Sequence, residues 1–101
     1  MIIDDFQIKV FKALGHPVRF AIVKKLLEGE RCVCQLQEDV DFSQSNLSQH
    51  LKILKNSGVL SSEKKGLNVH YKIKRDEIIE VIRLVESFVK KDILEMAEGM
   101  K

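Results

Sequence analysis

The chain has 101 residues, 45% of them apolar and 32% charged, enough for one domain (1–101) with a core and too few for two. It has no run of about 18 apolar residues, and its start, MIIDDFQIKVF, puts acids where a secretory leader has bases, so a soluble cytoplasmic protein away from membranes is expected. The net charge of +2 hides an asymmetry. From Ser43 to Arg75 seven bases (Lys52, Lys55, Lys64, Lys65, Lys72, Lys74, Arg75) face one acid, Glu63, while ten bases and fourteen acids make up the rest, so a polyanion, nucleic acid first, is the expected partner of the middle third.

Ile3, Phe6, Val10 and Leu14 recur at helical spacing, with Ile2 and Phe11 beside them, and predict a helix over 2–14 that stops before Gly15, His16 and Pro17. Pro17 fits the first turn of a second helix, where its missing N–H costs nothing. Val18, Ala21, Ile22 and Leu26 form the expected buried stripe of that helix, which closes at Gly29, and His16 is expected to cap or pack at the junction. In the stretch from Glu30 to Asp41, Val33, Leu36 and Val40 suggest one short helix, followed by a tight polar corner at Asp41 to Ser43.

Residues 43–60, SQSNLSQHLKILKNSGVL, read as a helix with two chemically different faces. At about 100° per residue, Leu47, Leu51 and Leu54 fall on one narrow stripe suited to a core, and Ser45, Ser48, Gln49 and Lys52 fall on the opposite side. Those hydroxyls, amides and ammonium groups can bond base edges and phosphates in a major groove wide enough for a helix. An ordinary solvated helix mixes Glu with Lys, whereas no acid lies between Ser43 and Ser62. Ser43 is placed as an N-cap and Gly58 as a left-handed terminator. Two short helices joined by a polar corner make a helix-turn-helix, the second helix being the one that reads.

Beyond Gly58 the period changes to two. Val59 and Leu60 lead a strand to Lys64, Lys65 and Gly66; then Val69, Tyr71 and Ile73 alternate with Asn68, His70, Lys72 and Lys74. The result is a hairpin with a basic tip, KKGLN, the wing of a winged helix-turn-helix. Asp76 caps a last helix reaching about Glu98, whose apolar residues from Ile78 to Leu94 cover more than the one stripe a small core needs. That excess, joined by the first helix, predicts a homodimer with two reading helices about one DNA turn apart. The expected fold is therefore mainly α with a small β-hairpin, a winged helix-turn-helix that is homodimeric through its first and last helices.

Two pieces, FKALGHPVRFAIVKKLLEGERCVCQL and SQSNLSQHLKILKNSGVLSSEKKGLNVHYKI, resemble the ArsR/SmtB family of winged helix-turn-helix repressors, and the run LSQHLKxLxxxGxL is the most specific part. The resemblance implies a dimeric transcriptional repressor that leaves double-stranded operator DNA when an effector, commonly a thiophilic or transition metal ion, binds. It also implies that Gln44, Ser45, Ser48, Gln49 and His50 face the operator and that Lys64 and Lys65 sit in the wing. The residues themselves point to Ser45, Ser48, Gln49 and Lys52. They put His50 on the flank of the apolar stripe, where a backbone bond and a phosphate contact are both open.

Cys32-Val33-Cys34 matches the family's cysteine pair before the reading helix, which implies As(III), Cd(II), Pb(II) or Zn(II) as effector at Cys32 and Cys34. A helix N-terminus lowers a thiolate's pKa, soft thiolates select soft ions, and Arg31 adds positive charge. Residues two apart point about 200° apart on a helix, so Cys32 must precede the helix or the first turn must unwind. Gln37 stands where arsenic sensors often have a third cysteine, leaving Asp4, Asp5, His16 or a residue across the dimer as third ligand; the last helix has no histidine for the family's other metal site. As a disulfide framework the pair is poor, because thiols so close in sequence form a strained ring and staple nothing distant. Two alternatives for the pair are small buried hydrophobes and thiols that oxidise. For the whole chain, the alternatives are the same repressor without metal and a winged-helix module that binds protein. No phosphate loop, nucleophile elbow or paired acid suggests an enzyme.

Overall fold

The structure, a computed structural model, describes residues 1–39 and 44–99. Its elements run α1 (Ile2–Leu14), α2 (Pro17–Leu26), β1 (Arg31–Cys32), α3 (Val33–Asp39), α4 (Gln44–Asn56), β2 (Leu60–Lys65), β3 (Asn68–Ile73) and α5 (Asp76–Gly99). The helix ends follow local chemistry. Pro17 opens α2, and the ring Nδ1 of His16 accepts the Val18 N–H at 3.1 Å, so His16 is the cap at that junction. At the other end of the helix-turn-helix, Gly58 has φ +88°. Its N–H reaches the Lys55 carbonyl and that of Val59 reaches the Leu54 carbonyl, both at 3.1 Å, the paired bonds of a glycine-terminated helix. The expected Ser43 cap and the corner at 41–43, with Val40, lie outside the described residues.

The leucine stripe of α4 is the centre of the core. Leu47, Leu51 and Leu54 are buried together with Ile22, Val23 and Leu26 of α2, Leu36 of α3, Val59, Leu60 and single residues of the flanking helices, Ala13 and Ile82. Val23 is buried, whereas Ala21, expected on that stripe, is exposed. The reason is that α2 has neighbours on two sides, α1 and α4, and buries the adjacent positions 22 and 23 instead of a single narrow row.

The sheet has three strands in the order β1-β3-β2, all antiparallel, so the expected hairpin has an extra strand on one side. Arg31 pairs with Tyr71 and Cys32 with His70. Extended backbone at 31–32 is why α3 starts at Val33 and not near Glu30. The wing folds over itself at Gly66 (φ +63°), with Lys65 opposite Asn68 and Lys64 opposite Val69.

The outer helices leave most of their apolar surface uncovered. Ile3, Phe6 and Phe11 of α1 are exposed, as are Leu84, Val85, Phe88, Ile93 and Leu94 of α5, and α5 buries only Ile82. At 24 residues, α5 outruns the core, which gives the molecule extents of 56 × 38 × 23 Å and a radius of gyration of 15.6 Å, against about 13 Å for an ordinary domain of this size. Among the described residues, no helix is long and apolar enough to cross a membrane.

Candidate nucleic-acid interface and thiol pair

Burying the three leucines turns the opposite face of α4 outward. Ser48, Gln49 and Lys52 are exposed there, and among the described residues their side chains make no hydrogen bond or ion pair. Gln44 and Ser45 belong to the first turn of α4, and their side chains lie outside the described residues. The face is thus an array of donors and acceptors presented to water.

His50 is on the flank, half-buried, with its ring centroid 4.7 Å from that of His16. An Arg19 guanidinium nitrogen is 3.4 Å from its Nδ1. Loss of hydration, then the neighbouring His16 and Arg19, hold its pKa below the ordinary histidine value. Its surroundings therefore favour the neutral ring. Arg19 itself donates to the carbonyls of Ala13 (2.8 Å) and Lys12 (3.1 Å), bracing the end of α1 against α4, a role with no signal in the sequence.

At the wing, Lys64 and Lys65 are both exposed, and they differ. Among the described residues Lys64 makes no ion pair, while Lys65 Nζ lies 2.5 Å from Oε2 of Glu30, a residue absent from the expected site. The same oxygen is 3.4 Å from Nδ1 of His70. The hydrogen bond from Lys65 holds the Glu30 carboxyl below the usual carboxylate range, with partial burial opposing, and Glu30 in turn raises Lys65. Glu30, Ser61, Glu63, His70 and Lys72 line a small cleft on this outer face of the sheet.

Cys32 and Cys34 are joined as a disulfide, with their Cα atoms 5.3 Å apart. The pair is therefore bonded and not the two free thiols expected, although a bond between residues two apart still staples nothing distant. The two residues do not share a helix: Cys32 ends β1 and Cys34 is in the first turn of α3, so the turn of the chain between them brings the sulfurs together. Cys32 is also the N-cap of α3. Its sulfur accepts the Gln35 N–H at 3.2 Å while the Gln35 side chain accepts the Cys32 N–H at 2.9 Å, a capping box written C-x-x-Q. Cys32 is buried and Cys34 exposed, so the pair is not simply two buried hydrophobes.

In the disulfide form neither sulfur offers a lone thiolate to an ion. Once reduced, the pair supplies two soft donors at a helix N-terminus, which suits a thiophilic ion. Among the described residues no third His, Cys, Asp or Glu joins them, so Asp4, Asp5 and His16 do not complete a site within the chain.

Comparison with known proteins agrees with this architecture. Residues 16–62, spanning the helix-turn-helix and the cysteine pair, match the model of the arsR family of bacterial regulatory proteins. The chain is 39% identical over 79 residues to an uncharacterised HTH-type transcriptional regulator of Methanocaldococcus jannaschii, covering 77% of this chain and 89% of that protein. It is 45% identical over 67 residues to the arsenical resistance operon repressor of Escherichia coli, covering 65% of this chain and 57% of the repressor, so it spans little more than half that relative's length. Among solved structures, Mycobacterium tuberculosis Rv0081 superposes with a TM-score of 0.87 at 29% identity, over 94% of this chain and 96% of that one. With its winged helix-turn-helix, its acid-free polar face on α4 and these relatives, which are transcriptional regulators and not enzymes, the chain belongs to the arsR family.

Proposed function

We propose that the protein is a homodimeric, cytoplasmic repressor that binds operator DNA through the polar face of α4 and the wing, and that chemistry at Cys32 and Cys34 sets its affinity. The observation that carries this reading is the α4 face: Ser48, Gln49 and Lys52 stand exposed, unpaired among the described residues, on a helix whose other side is locked into the core. Gln44, Ser45 and Lys64 join them as proposed contacts, and His50 orients the helix from its flank. The uncovered faces of α1 and α5 serve the dimer. Gln49→Ala should cost about 1–3 kcal/mol of discrimination between operator and random duplex if Gln49 bonds a base bidentately. Competition binding measures it, and unchanged discrimination would take Gln49 out of the reading set.

For the effector, the likeness to an arsenical resistance repressor supports a thiophilic ion, As(III), Cd(II), Pb(II) or Zn(II), on the reduced pair. The disulfide favours a second reading at the same sulfurs, thiol oxidation. In that case the exposed Cys34 sulfur attacks a small disulfide and releases one thiol, and the Cys32 sulfur then displaces the second, so that two electrons and two protons leave with the two thiols. Fluorescence anisotropy on an operator selected from random duplexes tests both. The reduced protein should release DNA on adding one of the four ions, or on oxidation by glutathione disulfide, and Cys34→Ser should abolish the response. Tight binding indifferent to every ion and to oxidation would remove the pair from the switch.

A further inference from the structure

We infer that Glu30 is a positioning residue that withholds Lys65 from DNA phosphate and couples the wing's grip on the duplex to the state of Cys32. The inference rests on the DNA-binding reading above. A wing lysine contributes to binding by giving its ammonium to an anionic oxygen, and in the free protein that ammonium already has one, Oε2 of Glu30 at 2.5 Å. The carboxylate occupies the place a phosphate oxygen would take. It also faces His70 at 3.4 Å and the charge of Lys72, so three bases of the sheet's outer face act on Glu30. Glu63 lies across the ladder from His70 on that face, lines the same cleft and adds its charge near Lys65, but the ammonium's hydrogen bond goes to Glu30.

The backbone of Glu30 is held from the cysteine side. It directly precedes β1, whose two residues pair with Tyr71 and His70, and the second of them, Cys32, is fixed by its capping box with Gln35 and by its bond to Cys34. A disulfide and a shared soft ion have one effect in common: each ties the Cys34 sulfur to the Cys32 sulfur. Closing the pair in either way keeps β1 docked and Glu30 on Lys65; opening it loosens that hold and lets phosphate compete for the ammonium. The wing, and not only the reading helix, then carries the signal.

The test is the salt dependence of binding to a labelled duplex of arbitrary sequence, between about 50 and 200 mM salt. One additional phosphate contact steepens the log–log slope by about 0.9. Glu30→Gln should bind roughly threefold or more tighter at the low end with that steeper slope, and the same substitution made with Lys65→Ala should do neither. In the wild type the reduced protein should show the steeper slope and the oxidised protein the shallower, a difference that Glu30→Gln erases. An unchanged slope in Glu30→Gln, or an equal gain in the Lys65→Ala background, overturns the assignment. Identical slopes for oxidised and reduced wild type overturn the coupling to the cysteines. A wild type that binds no duplex at any salt defeats the DNA-binding reading itself, a separate outcome.

Discussion

Replacing Phe88 with glutamate is expected to give a folded monomer that binds operator DNA about a hundredfold more weakly, or worse. Phe88 is 65% exposed in the single chain and lies beside Leu84 and Val85 on the part of α5 that outruns the core. A carboxylate there stays in water while the chain is alone, so the core is untouched. In a dimer packed through α5 the same carboxylate would be buried against apolar side chains without a partner, which costs several kcal/mol. Losing the second protomer loses the second half-site, and linked binding commonly supplies a factor of about 10² to 10⁴. Light scattering after gel filtration reports the mass, circular dichroism the fold and anisotropy the affinity. A variant that stays dimeric would place the interface elsewhere; a monomer with undiminished affinity would end the dimeric reading.

Leu47→Ala should destabilise the protein by about 2–5 kcal/mol, the usual range for emptying a buried leucine site. Leu47 is fully buried, near the start of α4, where it meets the packing of Leu36 and Leu51. Against a typical total of about 5–15 kcal/mol, that loss is a large share of the stability. Urea unfolding should show the midpoint falling with little change in slope, as expected when stability and not exposed area is altered. Because this leucine seats the reading helix, DNA affinity should fall too, even though Leu47 touches no base. A cost below about 1 kcal/mol would mean that the helix is seated by other contacts.

The elements that could be read in advance are those governed by local rules. Pro17 and Gly58 impose backbone conformations, and the leucine spacing of α4 has one period and one solution, so α1, α2 and α4 fall where the pattern puts them. The hairpin follows in the same way from alternation around Gly66. Strand β1 could not be found like this. Two residues are too short for any period, and what makes them a strand is the free edge of β3, a neighbour some forty positions away. Ala21 and Val23 exchange roles for a related reason: a helix with partners on two sides has no single stripe.

The site divides along the same line. Ser48, Gln49 and Lys52 are legible because their exposure is the complement of a leucine stripe. Glu30 is not, since its importance depends on Lys65 lying beside it through the sheet, 35 positions later in the chain. Helix geometry already requires Cys32 to precede the helix if both sulfurs are to meet, and the structure places it there, at the end of β1; the bond between the two sulfurs is what the short spacing does not announce. One local clue existed: C-V-C-Q has the capping-box spacing with a sulfur in place of the usual hydroxyl, and it marks Cys32 as the residue before the helix.

That double position makes the two cysteines unequal. Cys34 is a surface position in a first turn, where its sulfur can be exchanged for other chemistry at little expense to the architecture. Cys32 is at once the end of a strand, a helix cap and a buried packing group, so the sulfur proposed to sense is also the joint between wing and helix-turn-helix. A serine there could keep the cap yet would be mute to soft ions; an alanine would lose both. Position 34 can therefore change with little cost to the fold, while position 32 admits only changes that the joint also tolerates.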